Sequence, residues 1–329
     1  MAFVPALGYQ PAYNPPLPHV SPVPGGLRPG MSIYVQGVVP PRANRFRVDL
    51  GAGAEGPLAL HVNPRFDQAA AVFNSRQGGA WGAEQRRPLG PLARGSPFEL
   101  VISVTPGGYR LLLNGSDFEE FPHRLPPEQV TTVTVDGDVQ LQAVNVLGGG
   151  VSAGTPQPNP LPSGGPGVRG SPHPPDPPCS ALPFSLQGMF HTPARPPVPF
   201  VATIPGGLTP KKTIVVKGFI PPDSKRFHIN LRAGPGGDVL LHVNPRPSEG
   251  SLVRNSRLGG QWGSEERQLP HNPLQRGRYF DLSIRCGNHR FKVFAEGQPL
   301  FDFAHRAPAG PHVNTLEVEG DVVLSYVHF

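Results

Sequence analysis

Two short segments of the chain place an imidazole, a carboxamide and a guanidinium at alternating positions. His61, Asn63 and Arg65 lie in His-Val-Asn-Pro-Arg, and the same five residues recur at 242–246. Alternating residues of an extended strand project from one face, so each trio should form one polar patch. Burying such groups unpaired costs several kcal/mol, so we expect them on an accessible surface. Together they donate and accept hydrogen bonds, as recognition of hydroxyl groups requires.

A tryptophan follows each trio, sixteen residues after the arginine. Trp81 lies in Gly-Gly-Ala-Trp-Gly and Trp262 in Gly-Gly-Gln-Trp-Gly, and the chain has no other tryptophan. A lone tryptophan usually belongs to a core, but the flanking glycines should leave this indole face open. A flat aromatic surface beside hydroxyl-binding groups suits a pyranose, whose C–H face packs on the ring. Galactose fits best, because its axial 4-hydroxyl leaves one face continuously apolar.

Three further polar positions recur at fixed spacing in both segments. A glutamate that lies between two arginines can orient both by charge-assisted hydrogen bonds. Any one of these residues alone would be interpreted as a surface group, but seven positions repeated at preserved spacing predict a binding site. The three added positions are Asn74, Glu84 and Arg86 in the first segment and Asn255, Glu265 and Arg267 in the second.

The repeated positions belong to a tandem duplication. The offset between copies is 181 residues from Gly25-Gly26-Leu27 to Trp81 and drifts only to 183 near the end of the units. We expect domains at residues 19–150 and 198–329, a Pro-rich arm at 1–18 and a Pro/Gly-rich linker at 151–197. Residues 151–200 contain 15 prolines and three charged residues, a composition typical of an extended linker.

The apolar pattern within each unit has a period near two. Residues 45–50 and 226–231 alternate polar and apolar side chains, and Asn114-Gly115 is a hairpin signal. No 11-residue stretch has a helical period. About ten short strands in each unit predict an all-β protein with two antiparallel β-sandwich domains.

The pattern H-x-N-P-R, then N, then W-x-x-E-x-R resembles the signature of the galectins, and it covers both units. The resemblance implies a tandem-repeat member with jelly-roll, concanavalin-like sandwiches. It also implies that the first trio contacts the galactose 4-hydroxyl, that Asn74 contacts the 6-hydroxyl, and that Trp81 stacks under the ring. Glu84 and Arg86 would reach the adjoining sugar and brace Arg65. The second unit would use His242, Asn244, Arg246, Asn255, Trp262, Glu265 and Arg267 in the same roles.

The sequence departs from the family pattern in one place. Many galectins have a further histidine four residues after the motif arginine, where this chain has Ala69 and Gly250. The loops that follow the motifs also differ, with Phe-Asp-Gln at 66–68 and Pro-Ser-Glu at 247–249. We therefore expect the two sites to differ in fine specificity while both retain the galactose core.

The resulting hypothesis is a bivalent β-galactoside-binding lectin, not an enzyme, that crosslinks glycoproteins and glycolipids in cell adhesion and membrane clustering. Its expected ligands are lactose or N-acetyllactosamine, with sulfated galactosides as a further class. One alternative is an interaction protein with a galectin-like fold and no working sugar site. Another is a glycoside hydrolase, which needs a carboxylate pair where each motif offers one glutamate. A metal site is disfavoured because each motif offers a single histidine ligand.

Composition sets the remaining expectations. The net charge is +6, but no run of five basic residues occurs, so nucleic acid is not an expected partner. Two cysteines, Cys179 and Cys286, cannot form a disulfide framework and should be free thiols. We expect no cofactor, no secretory signal and no transmembrane segment, so that contact with membranes is peripheral, through glycans. The resemblance implies a cytoplasmic and extracellular location, with export that needs no signal peptide.

Overall fold

The computed structural model describes residues 11–53, 55–148 and 195–329. Within these ranges the regular structure is β, apart from a 3₁₀ turn at Pro127–Gln129. The strands of the first domain are β1 Ala12–Tyr13, β2 His19–Pro22, β3 Ser32–Val38, β4 Phe46–Gly51, β5 Leu58–Arg65, β6 Ala70–Gln77, β7 Ala80–Trp81, β8 Gln85–Pro88, β9 Pro97–Val104, β10 Gly108–Leu113, β11 Ser116–Pro122, β12 Thr132–Gly137 and β13 Gln140–Leu147. Those of the second domain are β14 Phe200–Thr203, β15 Thr213–Ile220, β16 Phe227–Arg232, β17 Val239–Arg246, β18 Ser251–Leu258, β19 Gln261–Trp262, β20 Arg278–Cys286, β21 Arg290–Ala295, β22 Gln298–Ala304, β23 Thr315–Gly320 and β24 Val323–His328.

Each domain contains two antiparallel sheets. In the first domain one sheet has the order β2-β12-β4-β5-β6-β7, with β8 paired to β6, and the other has the order β1-β13-β3-β9-β10-β11. In the second domain the corresponding orders are β14-β23-β16-β17-β18-β19 and β22-β21-β20-β15-β24. We call the sheets that contain β5 and β17 the motif sheets, and the other two the outer sheets. The predicted all-β, two-sandwich architecture is confirmed.

Apolar side chains of the two sheets fill the interior of each sandwich. In the first domain Val48, Leu60 and Val62 of the motif sheet pack in one cluster with Ile33 and Ile102 of the outer sheet. A separate cluster of the same composition lies in the second domain. Because side chains alternate along a strand, every second residue points into this core, and the residues between them point away from it to the other face of the sheet.

The predicted hairpin at Asn114-Gly115 joins β10 to β11. Both residues have positive φ, 51° and 82°, as the right-handed twist of a two-residue hairpin requires. The second domain uses Glu296 and Gly297 in the equivalent turn, with φ of 49° and 73°. The period-two interpretation therefore located both the strands and the turn that connects them.

Some sequence predictions fall on residues that the structure does not describe. The arm over residues 1–10, most of the linker at 151–197, and Cys179 lie outside the described ranges, so the proposed arm and linker boundaries stay predictions. Cys286 is a free, buried thiol at the end of β20. Among the described residues, no helix has the length and apolar character needed to cross a bilayer.

Candidate carbohydrate site

The two polar trios lie on central strands of the motif sheets. His61, Asn63 and Arg65 share one face of β5, as the alternation predicted. Asn74 of β6 is paired directly with His61 in the sheet register, which brings the fourth predicted residue against the first. In the second domain the same register pairs Asn255 with His242.

The side chains of the first trio are held by neighbours on the same sheet. Nδ1 of His61 lies 2.5 Å from Oδ1 of Asp49, and the Asn63 amide donates to the carbonyl of Phe46 at 2.6 Å. Nε of Arg65 donates to Oδ1 of Asn63 at 2.7 Å. Less than a tenth of His61 and of Asn63 is exposed. The expected open surface is therefore wrong for these two residues, because paired polar groups can be buried at the floor of a groove.

The second trio repeats this arrangement with one change of partner. Nδ1 of His242 lies 2.7 Å from Oδ1 of Asn230, so a carboxamide replaces the carboxylate of the first site. The Asn244 amide donates to a backbone carbonyl at 2.6 Å, and Arg246 Nε donates to Asn244 at 2.9 Å. In both sites Nδ1–H donates to the facing oxygen, which leaves Nε2 to contact a ligand.

The tryptophans lie beside the histidines and remain open to solvent. Trp81 is 50% exposed and Trp262 is 53% exposed. Their ring centroids lie 4.8 Å from those of His61 and His242, respectively. Short strands β7 and β19 pair with β6 and β18 and fix the indoles at the edge of each motif sheet. Neither indole belongs to a core, and each adjoins a polar trio.

Glu84 lies between two arginines in the first site. Its carboxylate accepts from Nη2 of Arg86 at 2.8 Å, and its other oxygen lies 3.9 Å from Nη2 of Arg65. Glu84 therefore accepts hydrogen bonds from Arg86 and lies near Arg65 without a hydrogen bond to it, so its predicted role in orienting both guanidiniums stays a prediction.

Glu265 occupies the same position in the second site, 2.5 Å from Arg267 and 3.8 Å from Arg246. The hydrogen bond from Arg267 lowers the pKa of the Glu265 carboxyl below its ordinary value. A glutamate held ionised in this way is unsuited to donate a proton as a general acid.

Two arginines outside the predicted motif residues hold Asn74 and Asn255 in place. Arg124 donates from Nη1 to Oδ1 of Asn74 at 3.2 Å, and Arg306 donates to Asn255 at 2.8 Å. Both lie in a repeated His-Arg pair, 123–124 and 305–306. The repetition of the His-Arg pair in both domains could have marked these arginines. The pair lies far along the sequence from H-x-N-P-R, however, and the sequence alone does not connect the two.

A glycine beside each tryptophan makes room for these arginines. A β-carbon added at Gly82 would lie 2.8 Å from Nη1 of Arg124, and one at Gly263 would lie 2.6 Å from Nη1 of Arg306. The backbone carbonyls of the same glycines accept from Asn74 and Asn255 at 3.0 and 2.8 Å. A side chain at either glycine would therefore displace the guanidinium that is hydrogen-bonded to the asparagine.

Electrostatics of the second site keep its histidine neutral. Burial lowers the pKa of His242 to about 4, and the charges of His228 and Arg246 act in the same direction. Burial also lowers the pKa of His228, whose ring centroid lies 5.4 Å from that of His242. His242 therefore has an unprotonated Nε2 at neutral pH.

The second site is a groove with a volume of about 670 Å³, lined by six of the seven predicted residues, all but Arg267, together with the charged residues Lys225, Arg226, Glu319 and Asp321. The loop after its motif adds Glu249, which lies 3.6 Å from Nη1 of Arg246. In the first site the equivalent loop has Asp67, which instead pairs with Arg45 at 2.9 Å. The loops thus change the charge around two otherwise equivalent sites. No group of three potential metal ligands occurs among the described residues.

Known proteins have sequences similar to that of this chain. The Galactoside-binding lectin family matches the chain twice, over residues 18–146 and 199–329. Galectin-4 of Homo sapiens is 49% identical over 331 residues, with 99% of both chains covered. Galectin-6 of Mus musculus is 44% identical with both chains fully covered. Among solved structures, the Caenorhabditis elegans galectin LEC-6 is 28% identical, covers 42% of this chain and 96% of its own, and has a TM-score of 0.39.

These matches define the class of protein: two lectin domains in one chain, in a family of carbohydrate-binding proteins that are not enzymes. The chain belongs to the galectins as a tandem-repeat member, and its sequence is similar to galectin-4 along its whole length.

Proposed function

We propose that each domain binds one β-galactoside and that the chain crosslinks galactosylated glycoproteins and glycolipids. The observation that supports this most strongly is the half-exposed indole 4.8 Å from the motif histidine in both domains. An aromatic face and a set of fixed hydrogen-bonding groups then border the same groove, as binding of a sugar with one apolar face requires.

The roles of the site residues follow from their fixed orientations. Nε2 of His61 would form a hydrogen bond with the 4-hydroxyl, and the Asn63 and Arg65 side chains would complete the hydrogen bonds of that hydroxyl. Asn74, held by Arg124, would contact the 6-hydroxyl while Trp81 packs under the ring. Because the partners of these groups are already in place, little side-chain entropy is lost on binding.

Glu84 and Arg86 would contact the sugar that precedes or follows galactose, as in lactose or N-acetyllactosamine. In the second domain Glu265 and Arg267 would do the same, beside His242, Asn244, Arg246, Asn255 and Trp262. Sulfated galactosides are proposed as further ligands, whose sulfate Lys225 or Arg226 would contact; Glu319 and Asp321 line the same groove.

Two sites on one chain support crosslinking, because a second contact on a glycan-dense surface becomes effectively intramolecular. Cell adhesion and clustering of membrane glycoproteins and glycolipids would result, with the membrane contacted through glycans. We propose that the chain acts both in the cytoplasm and outside the cell. The free thiol of Cys286 is compatible with synthesis in a reducing compartment.

Retention on immobilised lactose tests sugar binding. The wild-type chain should be retained and should elute with free lactose but not with sucrose. Trp81→Ala and Trp262→Ala should each weaken retention, and the double variant should pass through unretained. A double variant retained like the wild type would overturn the assignment of both sites. Failure of the wild-type chain to bind would instead favour a galectin fold used only for protein interactions.

A further inference from the structure

The central strands of the two outer sheets, among them β3, β9 and β15, are buried on both faces. In β3, Ile33 and Val35 face the core of the first domain, so Tyr34 between them faces away from it. Tyr34 is nevertheless only 2% exposed. In β15 of the second domain, Val215 also points away from the core and is 6% exposed. Outward-facing residues of the central strands are therefore covered in both domains.

Each outer sheet covers the other. A single apolar cluster joins Tyr34, Val101, Leu112 and Leu147 of the first domain to Val215 of the second. Tyr326 of β24 packs against this cluster, with its ring centroid 6.0 Å from that of Tyr34. These contacts connect residues of different domains, and they are separate from both sandwich cores.

A buried ion pair lies beside the apolar contact. Nζ of Lys217 is 2.6 Å from Oδ2 of Asp281, and the lysine side chain is fully buried. The carboxamide of Asn145 from the first domain lies with its oxygen 2.8 Å from the same Nζ when it is oriented to accept. Tyr13, from the short strand β1, donates its hydroxyl hydrogen bond to Asp281. Groups from the first domain thus complete a polar cluster in the second.

Glu99 is the centre of a second group of polar contacts. It lies on the outward face of β9 and is only 1% exposed. Arg195 donates to one of its carboxylate oxygens at 3.1 Å and Gln36 donates to the other at 2.7 Å. Arg195 lies just before the second domain in sequence, and its contact with Glu99 places this part of the chain against the outer sheet of the first domain. Lys217 on an outward strand face would be solvated in a separate domain, whereas here it is buried beside Asn145 of the first domain. Next to Glu99, the hydroxyl of Tyr279 from the second domain lies 3.3 Å from Oδ1 of Asn114, to which it donates.

We propose that the two domains dock back to back through their outer sheets and behave as one body, with the two sugar grooves facing opposite directions. The four layers then run motif sheet, outer sheet, outer sheet, motif sheet. The occupant of each outer face is the other domain of the same chain, selected by the apolar cluster and by the matched charges of Lys217 and Glu99. Strand β1 contributes Tyr13 to the interface, which gives the amino-terminal arm a structural role.

Acetylation of lysines in the full chain tests this docking without reference to sugar binding. The chain has five lysines, and Lys292 is exposed on β21 of the same outer sheet as Lys217. Treatment with acetic anhydride, quantified by peptide mass spectrometry, should modify Lys217 at least about tenfold more slowly than Lys292, because reaction requires the interface to open. Sedimentation should give the mass of one chain. Labelling of both lysines at one rate would overturn the proposal.

Val101→Arg places a charge in the apolar interface but on a surface that a separated domain exposes to water. It should bring Lys217 labelling close to that of Lys292 and enlarge the radius of gyration measured by X-ray scattering. Val201→Arg is the matched control, since Val201 is 59% exposed and lies on a motif sheet; it should leave Lys217 protected.

Near-UV circular dichroism and a cooperative thermal transition check that Val101→Arg is folded; if it is not, Leu112→Arg takes its place. Continued protection of Lys217 in a folded variant would overturn the interface. A chain that sediments as a dimer, with protection that falls on dilution, would show that the outer sheets pair between copies instead.

Discussion

His242 Nδ1 lies 2.7 Å from the carboxamide oxygen of Asn230, at the position where the first domain places the carboxylate of Asp49 against His61. The two sites thus share a geometry and differ in the charge behind the histidine. A carboxamide can fix the tautomer of the ring but cannot stabilise an imidazolium as a carboxylate does. Because Asn230 stands where the first domain has Asp49, protonation of His242 at acid pH lacks the stabilisation that a carboxylate would give.

Asn230→Asp should raise the pKa of His242 from about 4. A carboxylate within hydrogen-bond distance favours the charged ring, by on the order of one to two pH units. Titration of the imidazole resonances by NMR would measure the change. Asn288→Asp, at an exposed turn of the outer sheet, adds the same charge away from the site and should leave the titration of His242 unchanged. An unshifted His242 in Asn230→Asp would contradict the assigned contact.

The depressed pKa of His242 predicts that acid destabilises the second domain. Above pH 6.5 the ring is neutral in the folded and unfolded states, so it contributes no pH dependence. Between pH 6.5 and about 4 the unfolded state binds a proton that the folded state excludes. The free energy of unfolding should therefore decrease as the pH is lowered through this window, by at most about 3 kcal/mol from this group.

Unfolding in urea at pH 7 and pH 4.5, followed by Trp262 fluorescence in a Trp81→Phe background, would measure this loss. His242→Gln removes the titrating group and should reduce the difference between the two pH values. His271→Gln, an exposed histidine, is the control and should leave that difference as it is in the parent chain. An equal acid sensitivity in His242→Gln would argue against the role of this ring.

The sequence predicted the strands, the hairpin at Asn114-Gly115 and the grouping of His61 with Trp81, because alternation and repeat spacing are local properties of the chain. It did not predict Asp49 as the partner of His61, since that contact depends on the register between two neighbouring strands. It also gave no sign of the docked outer sheets. A polar residue such as Lys217 in an alternating strand has the same pattern whether it faces water or a second domain.

Arg306→Gln should weaken sugar binding at the second site without direct contact between residue 306 and the proposed galactose. The guanidinium donates to Asn255 at 2.8 Å and to the carbonyl of Ser264 at 2.7 Å, so its loss releases a residue assigned to the 6-hydroxyl. Loss of a charge-assisted bond predicts a roughly tenfold or greater rise in Kd for lactose.

Calorimetry in a Trp81→Ala background would report on the second site alone. Arg290→Gln is the matched control, because Arg290 forms an exposed ion pair with Asp302 and lies away from the groove. Circular dichroism would establish that Arg306→Gln remains folded. If a folded Arg306→Gln bound lactose like the control, Arg306 would have no positioning role.

Agglutination should require both indoles in one chain. Trp81→Ala and Trp262→Ala each remove one apolar contact face while the other site stays intact, so each should still bind lactose but fail to agglutinate galactosylated cells as a monomer. Trp81→Phe and Trp262→Phe retain an aromatic face and should lose less activity. Because the proposed docking directs the grooves to opposite sides, the wild-type chain should bridge two facing surfaces. Normal agglutination by a monomeric single-site variant would show that bivalency is not the basis of crosslinking.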